Sequence, residues 1–180
     1  MSASTSALQQ KNAKHLIQSF SDLSYIKNPE STHIISRADG VYIYDNDGKK
    51  ILDSMSGLWC VNMGYGQQSI IEAVNEQMKE LVYYNNFFGS SHPSAIKLSE
   101  MIADKTPEGM NKVYFCGSGS EANDTVVRLA RHYWAARGNP SKSVIISRTN
   151  AYHGSTMAGA SLGGMSAMHA QGGLPIADIE

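Results

Sequence analysis

Two polar, glycine-rich stretches carry the residue types that could bind a small anionic ligand. The first is residues 112–123, KVYFCGSGSEAN, where strand-forming residues run into a Gly-Ser-Gly-Ser turn and then into a helical pattern. The free N–H groups of a helix's first turn, together with the helix dipole, favour negative charge. Gly117 and Gly119 let a ligand approach the backbone, and Ser118 and Ser120 add hydroxyl donors. This stretch therefore predicts a phosphate site.

The second stretch is residues 148–155, RTNAYHGS, which follows a predicted buried strand at residues 144–147. Strand, helix and strand over residues 113–147 predict a βαβ unit of a parallel sheet. Ligands of such sheets bind outside the carboxyl ends of the strands, where both stretches would lie. Tyr152 would supply a flat partner for a pyridine ring. Together the stretches favour a phosphate monoester such as pyridoxal 5′-phosphate.

A dinucleotide site is the alternative for the same turn. Gly117, Gly119 and Ala122 fit the pattern G-x-G-x-x-G/A, and Arg148 follows the next strand, where it could bind the 2′-phosphate of NADP. This pattern is common by chance, and the usual acidic residue for the ribose is missing. An NADP-binding oxidoreductase using Gly117, Gly119 and Arg148 stays open at this point, as does a non-catalytic truncated remnant.

Composition narrows the class of protein. Hydrophobic residues make up 42% and charged residues 17%, with a net charge of -1, which is typical of a globular protein without the concentrated positive charge that nucleic acid requires. No apolar run is long enough to cross a membrane, and no secretory signal begins the chain, so we expect a cytoplasmic protein. Cys60 and Cys116 lie in apolar contexts without metal-type spacing, which predicts buried thiols and no metal site.

The remaining elements predict two domains, 1–90 and 91–180. The first combines a helix, an antiparallel meander and a connecting helix, and the second begins a parallel sheet. The predicted helices are residues 10–20, 68–82, a helix from Pro93, 121–137 and 156–162. The predicted meander strands are residues 33–37, 41–45 and 50–53, joined by turns rich in Asn, Asp and Gly.

Four motifs together resemble the class III pyridoxal-phosphate-dependent aminotransferases, in particular the ω-amino acid:pyruvate or ω-transaminase type. They are CGSGSEAND (residues 116–124), RxNAYHG (148–154), SGLWC (56–60) and NNFFGSSHP (85–93), and the resemblance covers residues 20–164. It implies a fold-type-I α/β enzyme, here the N-terminal segment plus the start of the mainly parallel large-domain sheet. It also implies a homodimer that moves an amino group from an amine or ω-amino acid to a 2-oxo acid such as pyruvate.

The resemblance assigns roles position by position. The residues implied for cofactor binding are Gly119 and Ser120 with Ser118 on the phosphate, Tyr152 stacked on the ring, His153 and Gly154 beside it, and Glu121 near the ring through a water. The residues implied for the substrate pocket are Phe20, Leu58, Trp59, Phe87 and Phe88, the last two on a loop that in the family partly reaches the neighbouring subunit.

The resemblance also implies which groups to expect outside this chain. Family members are longer, and their Schiff-base lysine, the acidic partner of the pyridine nitrogen and the substrate-carboxylate arginine would follow Glu180. None of the lysines present matches the catalytic one. We therefore expect Glu180 to be a cut, the fold to be incomplete and the chain to be inactive alone, because that lysine is the covalent anchor of the cofactor.

Overall fold

The strand residues and Asn/Asp/Gly turns of the first third of the chain form the predicted antiparallel meander. The computed structural model describes residues 3–180 and places β1 at Ile35–Asp39, β2 at Tyr42–Asp45 and β3 at Lys50–Leu52, in the order β1-β2-β3. Both neighbouring pairs are antiparallel, which confirms the predicted topology. At the β2–β3 turn, Oδ1 of Asp45 accepts hydrogen bonds from backbone N–H groups, the local chemistry that makes Asp a turn residue.

Helices account for most of the regular structure among the described residues. They are α1 (Thr5–His15), α2 (Leu23–Ile26), α3 (Gln68–Glu80), α4 (Pro93–Ala103), α5 (Gly119–Ala136), α6 (Met157–Leu162) and α7 (Ser166–His169), with a 3-10 turn at Pro29–Ser31. None of these described helices is long and apolar enough to cross a membrane. The helices predicted around residues 68–82, from Pro93, at 121–137 and at 156–162 are confirmed within a few residues.

The first helix was predicted too late in the chain. Ser4 caps it by accepting a hydrogen bond from the Ala7 N–H at 3.3 Å, so helix α1 begins well before residue 10. Leu16 already has extended backbone angles, and Phe20 has a positive φ of 54°. Leu16, Ile17 and Phe20, which supplied most of the apolar spacing, therefore lie beyond the end of helix α1.

The chain divides into two compact units, Met1–Ser91 and His92–Glu180. The first contains α1 to α3 and the meander, and the second contains α4 to α7. In the second unit, α6 packs against α5 through small side chains, which allow close approach. Val127 of α5 and Ala158 and Ala160 of α6 are buried.

Only one of the two predicted strands of the parallel sheet pairs among the described residues. A strand exists only where neighbouring backbone supplies hydrogen-bond partners. Residues 113–116 form no strand, whereas residues 145–147 make three backbone hydrogen bonds with residues 178–180, around a parallel bridge between Ile145 and Ile179. The predicted first strand, residues 113–116, is therefore wrong among the described residues, whereas the second predicted strand pairs in the predicted parallel direction.

Apolar surface is extensively exposed. The accessible surface is 14025 Å², whereas two separate folded domains of half the mass each would together expose about 10,300 Å². The apolar stripe of α3 is an example, with Ile70, Val74 and Met78 exposed by 48%, 50% and 58%. Cys60 and Cys116 are also exposed, so the prediction of buried thiols is wrong: an apolar sequence context does not bury a side chain unless another element covers it.

Candidate functional site

The Gly-Ser-Gly-Ser turn forms the N-terminus of helix α5. Ser118 is the N-cap, and its Oγ accepts a hydrogen bond from the Glu121 N–H at 3.1 Å. This contact satisfies one of the donors that a helix start leaves without an intrahelical partner. Because Ser118 Oγ accepts there, its own hydroxyl proton remains available for donation to a ligand.

Glu121 has a structural task in this turn. Its Oε2 accepts a hydrogen bond from the Gly117 N–H at 2.7 Å. Ser118 and Glu121 form the pattern S-x-x-E, in which an N-cap serine and an acidic residue three positions later satisfy backbone donors at a helix start. Sequence reasoning missed this signal, which fixes the shape of the turn before any ligand binds.

The second polar stretch reaches the first turn of α5 at Ser120. Oγ of Ser120 accepts a hydrogen bond from the Ser155 N–H at 3.1 Å. Gly154 is buried with a φ of 126°, and a Cβ placed there would lie 2.5 Å from Ser120 Oγ and 2.8 Å from Ser120 Cα. The approach of the two backbones therefore requires glycine at this position, both for space and for backbone conformation.

Two polar residues of α5 hold the second stretch and the start of helix α6, which follows it. Asn123 Nδ2 donates to the His153 carbonyl oxygen at 2.6 Å. Asp124 Oδ1 accepts hydrogen bonds from Thr156 Oγ1 at 2.6 Å and from the Gly159 N–H at 3.1 Å. The second bond satisfies a backbone donor in the first turn of helix α6. Sequence reasoning did not find these roles, because the partners lie 30 or more positions away along the chain.

The backbone of Gly164 holds the loop of the second stretch through two hydrogen bonds. The Asn150 N–H donates to the Gly164 carbonyl oxygen, and the Gly164 N–H donates to the Ala151 carbonyl oxygen, both at 3.0 Å. A Cβ on Gly164 would collide with the backbone of Arg148 and Thr149. Asn150 has a positive φ of 61°, a conformation that asparagine tolerates better than most residues.

The donor set at this junction fits a phosphate group. Among the described residues, the N–H groups of Gly119 and Ser120 have no hydrogen-bond acceptor, and a Cβ on Gly119 would meet no atom within 4 Å. The hydroxyl protons of Ser118 and Ser120 add two donors, since both oxygens already accept from the backbone. Neutral donors at a helix N-terminus are the usual partners of a phosphate.

Tyr152 and His153 lie on the loop that this junction holds. The Tyr152 side chain is 55% exposed, and His153 is exposed as well. The backbone of His153 is fixed by Asn123, and that of Gly154 by its contact with Ser120. All seven residues predicted for the cofactor thus lie in the second unit, on two segments that the structure brings together.

The five residues predicted for the substrate pocket all lie in the first unit. Their side chains are exposed: Phe20 by 71%, Leu58 by 60%, Trp59 by 74%, Phe87 by 65% and Phe88 by 102%. Four of them have a positive φ: Phe20 at 54°, Leu58 at 63°, Trp59 at 64° and Phe88 at 55°. Bulky residues rarely adopt this conformation, and such strain tends to cluster at functional sites.

Leu58 and Trp59 belong to one turn of left-handed helix, Ser56–Trp59, which we call the left-handed turn. Its four residues have φ values of 48°, 58°, 63° and 64°. The Trp59 N–H donates to the Met55 carbonyl oxygen at 2.8 Å, and the Cys60 N–H donates to that of Ser56 at 2.9 Å. For L-residues other than glycine this hand costs about 1–2 kcal/mol each, so the turn must be held by its surroundings.

Comparison with known proteins identifies a family and close relatives. Residues 25–179 match the family described as Aminotransferase class-III. A putrescine–pyruvate aminotransferase of Pseudomonas aeruginosa is 53% identical over 177 residues, which make up 98% of this chain and 39% of that protein. The chain therefore spans about two-fifths of the length of this relative.

Solved structures of similar fold are transaminases. One, from the marine bacterium Virgibacillus, has a TM-score of 0.91 at 39% identity, with coverage of 96% of this chain and 39% of that chain. Another is a thermostable omega transaminase with a tryptophan replaced by glycine, engineered for asymmetric synthesis of enantiopure bulky amines. It has a TM-score of 0.91 at 36% identity, covering 96% of this chain and 38% of that chain. The chain has the α/β fold of the matching part of these structures.

Proposed function

Because the chain belongs to the Aminotransferase class-III family, we propose that it is part of a pyridoxal-phosphate-dependent transaminase. The reaction we propose moves an amino group from an amine or ω-amino acid to a 2-oxo acid such as pyruvate. The relative named putrescine–pyruvate aminotransferase supports both substrate classes, since putrescine is an apolar-stemmed diamine and pyruvate a 2-oxo acid. Family membership also favours this function over an NADP-dependent oxidoreductase.

The junction between Ser120 and Gly154 carries the proposal. At this junction the N-terminus of helix α5, which offers phosphate donors, lies against the loop that carries Tyr152. The two backbones are so close that no side chain fits at position 154. We propose that Ser118, Gly119 and Ser120 bind the cofactor phosphate. Tyr152 would then stack on the ring, with His153 and Gly154 beside it.

Pyridoxal 5′-phosphate supplies electron-sink chemistry for amino-group transfer when it is bound. The residues of this chain bind and orient it. The helix dipole and neutral donors hold the phosphate, while the S-x-x-E contact between Ser118 and Glu121 keeps those donors in a fixed turn. For Glu121 we propose a place near the ring through a water, beside its contact with the Gly117 N–H.

The covalent anchor of the cofactor is proposed to lie outside this chain. In transaminases of this kind a lysine amine bonds to the cofactor, and no lysine here stands in a position that matches it. We propose that the 180-residue chain binds phosphate-bearing pyridoxal compounds but does not transaminate alone. The homodimer and the cytoplasmic location remain predictions from the sequence.

We propose that Phe20, Leu58, Trp59, Phe87 and Phe88 contact the amine substrate. Their exposed apolar side chains on strained backbone support this role. The tilted pair Phe87 and Phe88, with ring centroids 6.0 Å apart, adds an exposed apolar surface. The similar omega transaminase engineered for bulky amines carries a tryptophan-to-glycine change, which supports a link between a tryptophan and amine size in that protein.

Binding of pyridoxamine 5′-phosphate to the full 180-residue chain tests the cofactor site. This compound needs no lysine bond, so calorimetry reports the contribution of the phosphate donors alone. We expect saturable binding of pyridoxamine 5′-phosphate and at least about tenfold weaker binding of pyridoxamine, because losing charge-assisted hydrogen bonds costs about 1.5 kcal/mol or more.

Two serine variants locate the binding. Ser120→Ala should weaken binding of pyridoxamine 5′-phosphate by about tenfold, since it removes a donor and frees the Ser155 N–H. Ser141→Ala removes a hydroxyl from an exposed turn in the same unit and should leave the affinity unchanged. Equal affinity for the phosphorylated and unphosphorylated compounds would refute the proposed site.

A further inference from the structure

The left-handed turn raises the question of what holds it. Three of its residues (Ser56, Leu58 and Trp59) carry side chains that disfavour a positive φ, and the turn exposes both Leu58 and Trp59. The two backbone hydrogen bonds described above for this turn could form equally well in a right-handed helix, so they do not explain its left-handed conformation. Some contact from outside the turn must therefore select its hand.

Asp53, which directly follows strand β3, supplies such contacts. Its Oδ2 accepts from the Gly57 N–H at 2.8 Å and from the Tyr65 hydroxyl at 2.7 Å. Its Oδ1 accepts from the Met55 N–H at 3.2 Å. One carboxylate thus binds the N–H groups on both sides of Ser56, with both of its oxygens engaged.

Tyr65 connects this carboxylate to the meander. Its backbone pairs with Gly40 in an antiparallel bridge, with N–H to oxygen distances of 2.7 and 3.2 Å. A Cβ on Gly57 would lie 3.0 Å from the Tyr65 hydroxyl and 2.8 Å from Val61 Cγ2, so the hydroxyl packs directly against the turn. A continuous set of contacts therefore runs from the sheet through Tyr65 and Asp53 to Gly57.

We propose that Asp53 and Tyr65 are positioning residues, which hold the left-handed turn and thereby fix how Leu58 and Trp59 are presented to the amine substrate. The role of Leu58 and Trp59 rests on the proposed function, whereas the hold itself rests on the contacts of Asp53. Neither Asp53 nor Tyr65 needs to touch substrate. A change at either residue acts on the substrate only through the backbone of the turn.

Both groups have a pKa displaced by this arrangement. The Tyr65 hydroxyl, followed by the N–H groups of Gly57, Met55 and Ser56, holds the pKa of the Asp53 carboxyl below its ordinary value of 3.8. Asp53 raises the pKa of Tyr65 above 10.0. The contact therefore stabilises the fold fully above pH 3.8 and below pH 10.0, and it is lost as the pH falls through the pKa of Asp53 or rises through that of Tyr65.

NMR of the labelled 180-residue chain tests the proposal. A positive φ brings the amide and α protons of one residue close together, so Leu58 and Trp59 should show strong intraresidue NOEs. Asp53→Asn and Tyr65→Phe should weaken both NOEs. Asp45→Asn is the matched control, because Asp45 also accepts two backbone N–H groups in a turn but does not contact the left-handed turn.

A pH titration separates positioning from general loss of structure. The Gly57 amide resonance should titrate with a midpoint below 3.8 in the unchanged chain, and Tyr65→Phe should move that midpoint up towards 3.8, because its hydroxyl is the main cause of the lowered pKa. In Asp53→Asn this titration should disappear. Loss of the cross-strand signals of the meander in Asp53→Asn would mean that this variant has lost the sheet as well as the turn. The positioning role is then judged from Tyr65→Phe, which keeps the Asp53 carboxylate.

The outcomes for this proposal and for the cofactor site are independent. Both variants should bind pyridoxamine 5′-phosphate with the affinity of the unchanged chain, because the phosphate donors lie in the second unit. Retention of both intraresidue NOEs in Asp53→Asn and in Tyr65→Phe would overturn the positioning role and leave the proposed function standing. Failure of pyridoxamine 5′-phosphate to bind would remove the proposed function and leave the hold on the turn intact.

Discussion

Gly154→Ala should damage the candidate site through a single added methyl group. The new Cβ would lie 2.5, 2.8 and 2.9 Å from Ser120 Oγ, Cα and Cβ, all closer than real side chains approach. Since Ser120 Cα is backbone on helix α5, no rotamer change relieves the contact. Either the loop moves away, which breaks the hydrogen bond from the Ser155 N–H to Ser120 Oγ, or the first turn of the helix shifts.

The size of the effect follows from three contributions. Alanine at a φ of 126° is strained, by about 1 kcal/mol or more. Overpacking a buried position costs about 1–3 kcal/mol, and a lost hydrogen bond about 1 kcal/mol. If the loop moves, the overpacking is relieved but the hydrogen bond is lost, so the three contributions do not simply add. We expect the free energy of unfolding of the second unit to fall by about 2–4 kcal/mol.

Urea unfolding and calorimetry with pyridoxamine 5′-phosphate measure the two consequences. Binding should weaken by about tenfold or more, since the proposed phosphate donors of Gly119 and Ser120 move with the helix start. Gly172→Ala is the control: a Cβ there meets no atom within 4 Å, so its effect should stay within about 0.5 kcal/mol.

The double change Ser120→Gly with Gly154→Ala tests the cause of the damage. It removes two of the three short contacts, so it should be more stable than the sum of the two single changes predicts. A Gly154→Ala chain with unchanged stability and unchanged affinity would refute the argument that this backbone approach builds the site.

Three further predictions concern other contacts. Asp124→Ala should lower the free energy of unfolding by about 1–2 kcal/mol in urea, because it removes the acceptor of Thr156 Oγ1 and the closer of two acceptors of the Gly159 N–H; an effect below about 0.5 kcal/mol would contradict this role of Asp124. Ser118→Ala should destabilise the chain by about 1 kcal/mol and Ser118→Gly by only a few tenths, since glycine leaves the first-turn N–H groups open to water; an unchanged stability in Ser118→Ala would show that the N-cap hydrogen bond is unimportant. Trp59→Ala should change amine preference in transaminase assays of the active enzyme while affinity for pyridoxamine 5′-phosphate stays within about twofold; loss of that affinity would show that Trp59 is misplaced in our proposal.

Local chemistry explains which elements could be predicted from the sequence. The meander turns are specified by Asp45 and its neighbours within a few residues, and helix α5 by the helical pattern that follows the Gly-Ser-Gly-Ser turn. Such signals act over one turn of chain, so they can be read without knowledge of the fold. The same holds for the glycine-rich stretches, whose residue types limit the possible ligands.

What could not be predicted depends on partners distant in sequence. Residues 113–116 have strand-forming side chains but no neighbouring strand among the described residues, and propensity alone does not make a ladder. The contacts of Asp124 depend on Thr156 and Gly159, which lie 32 and 35 positions further along the chain. In the left-handed turn only Gly57 hints at a positive φ, whereas Leu58 and Trp59 argue for the opposite hand.

The large exposed apolar surface has a calorimetric consequence. An unfolded chain of this mass exposes about 28,400 Å², so folding to 14025 Å² removes only about half of that surface from water. Small closed domains remove about 60% or more. Because the heat capacity change and the denaturant slope both scale with the surface exposed on unfolding, each should be low for a chain of this length. The stability of this chain should therefore vary less steeply with temperature and with urea than that of a domain whose apolar faces are covered.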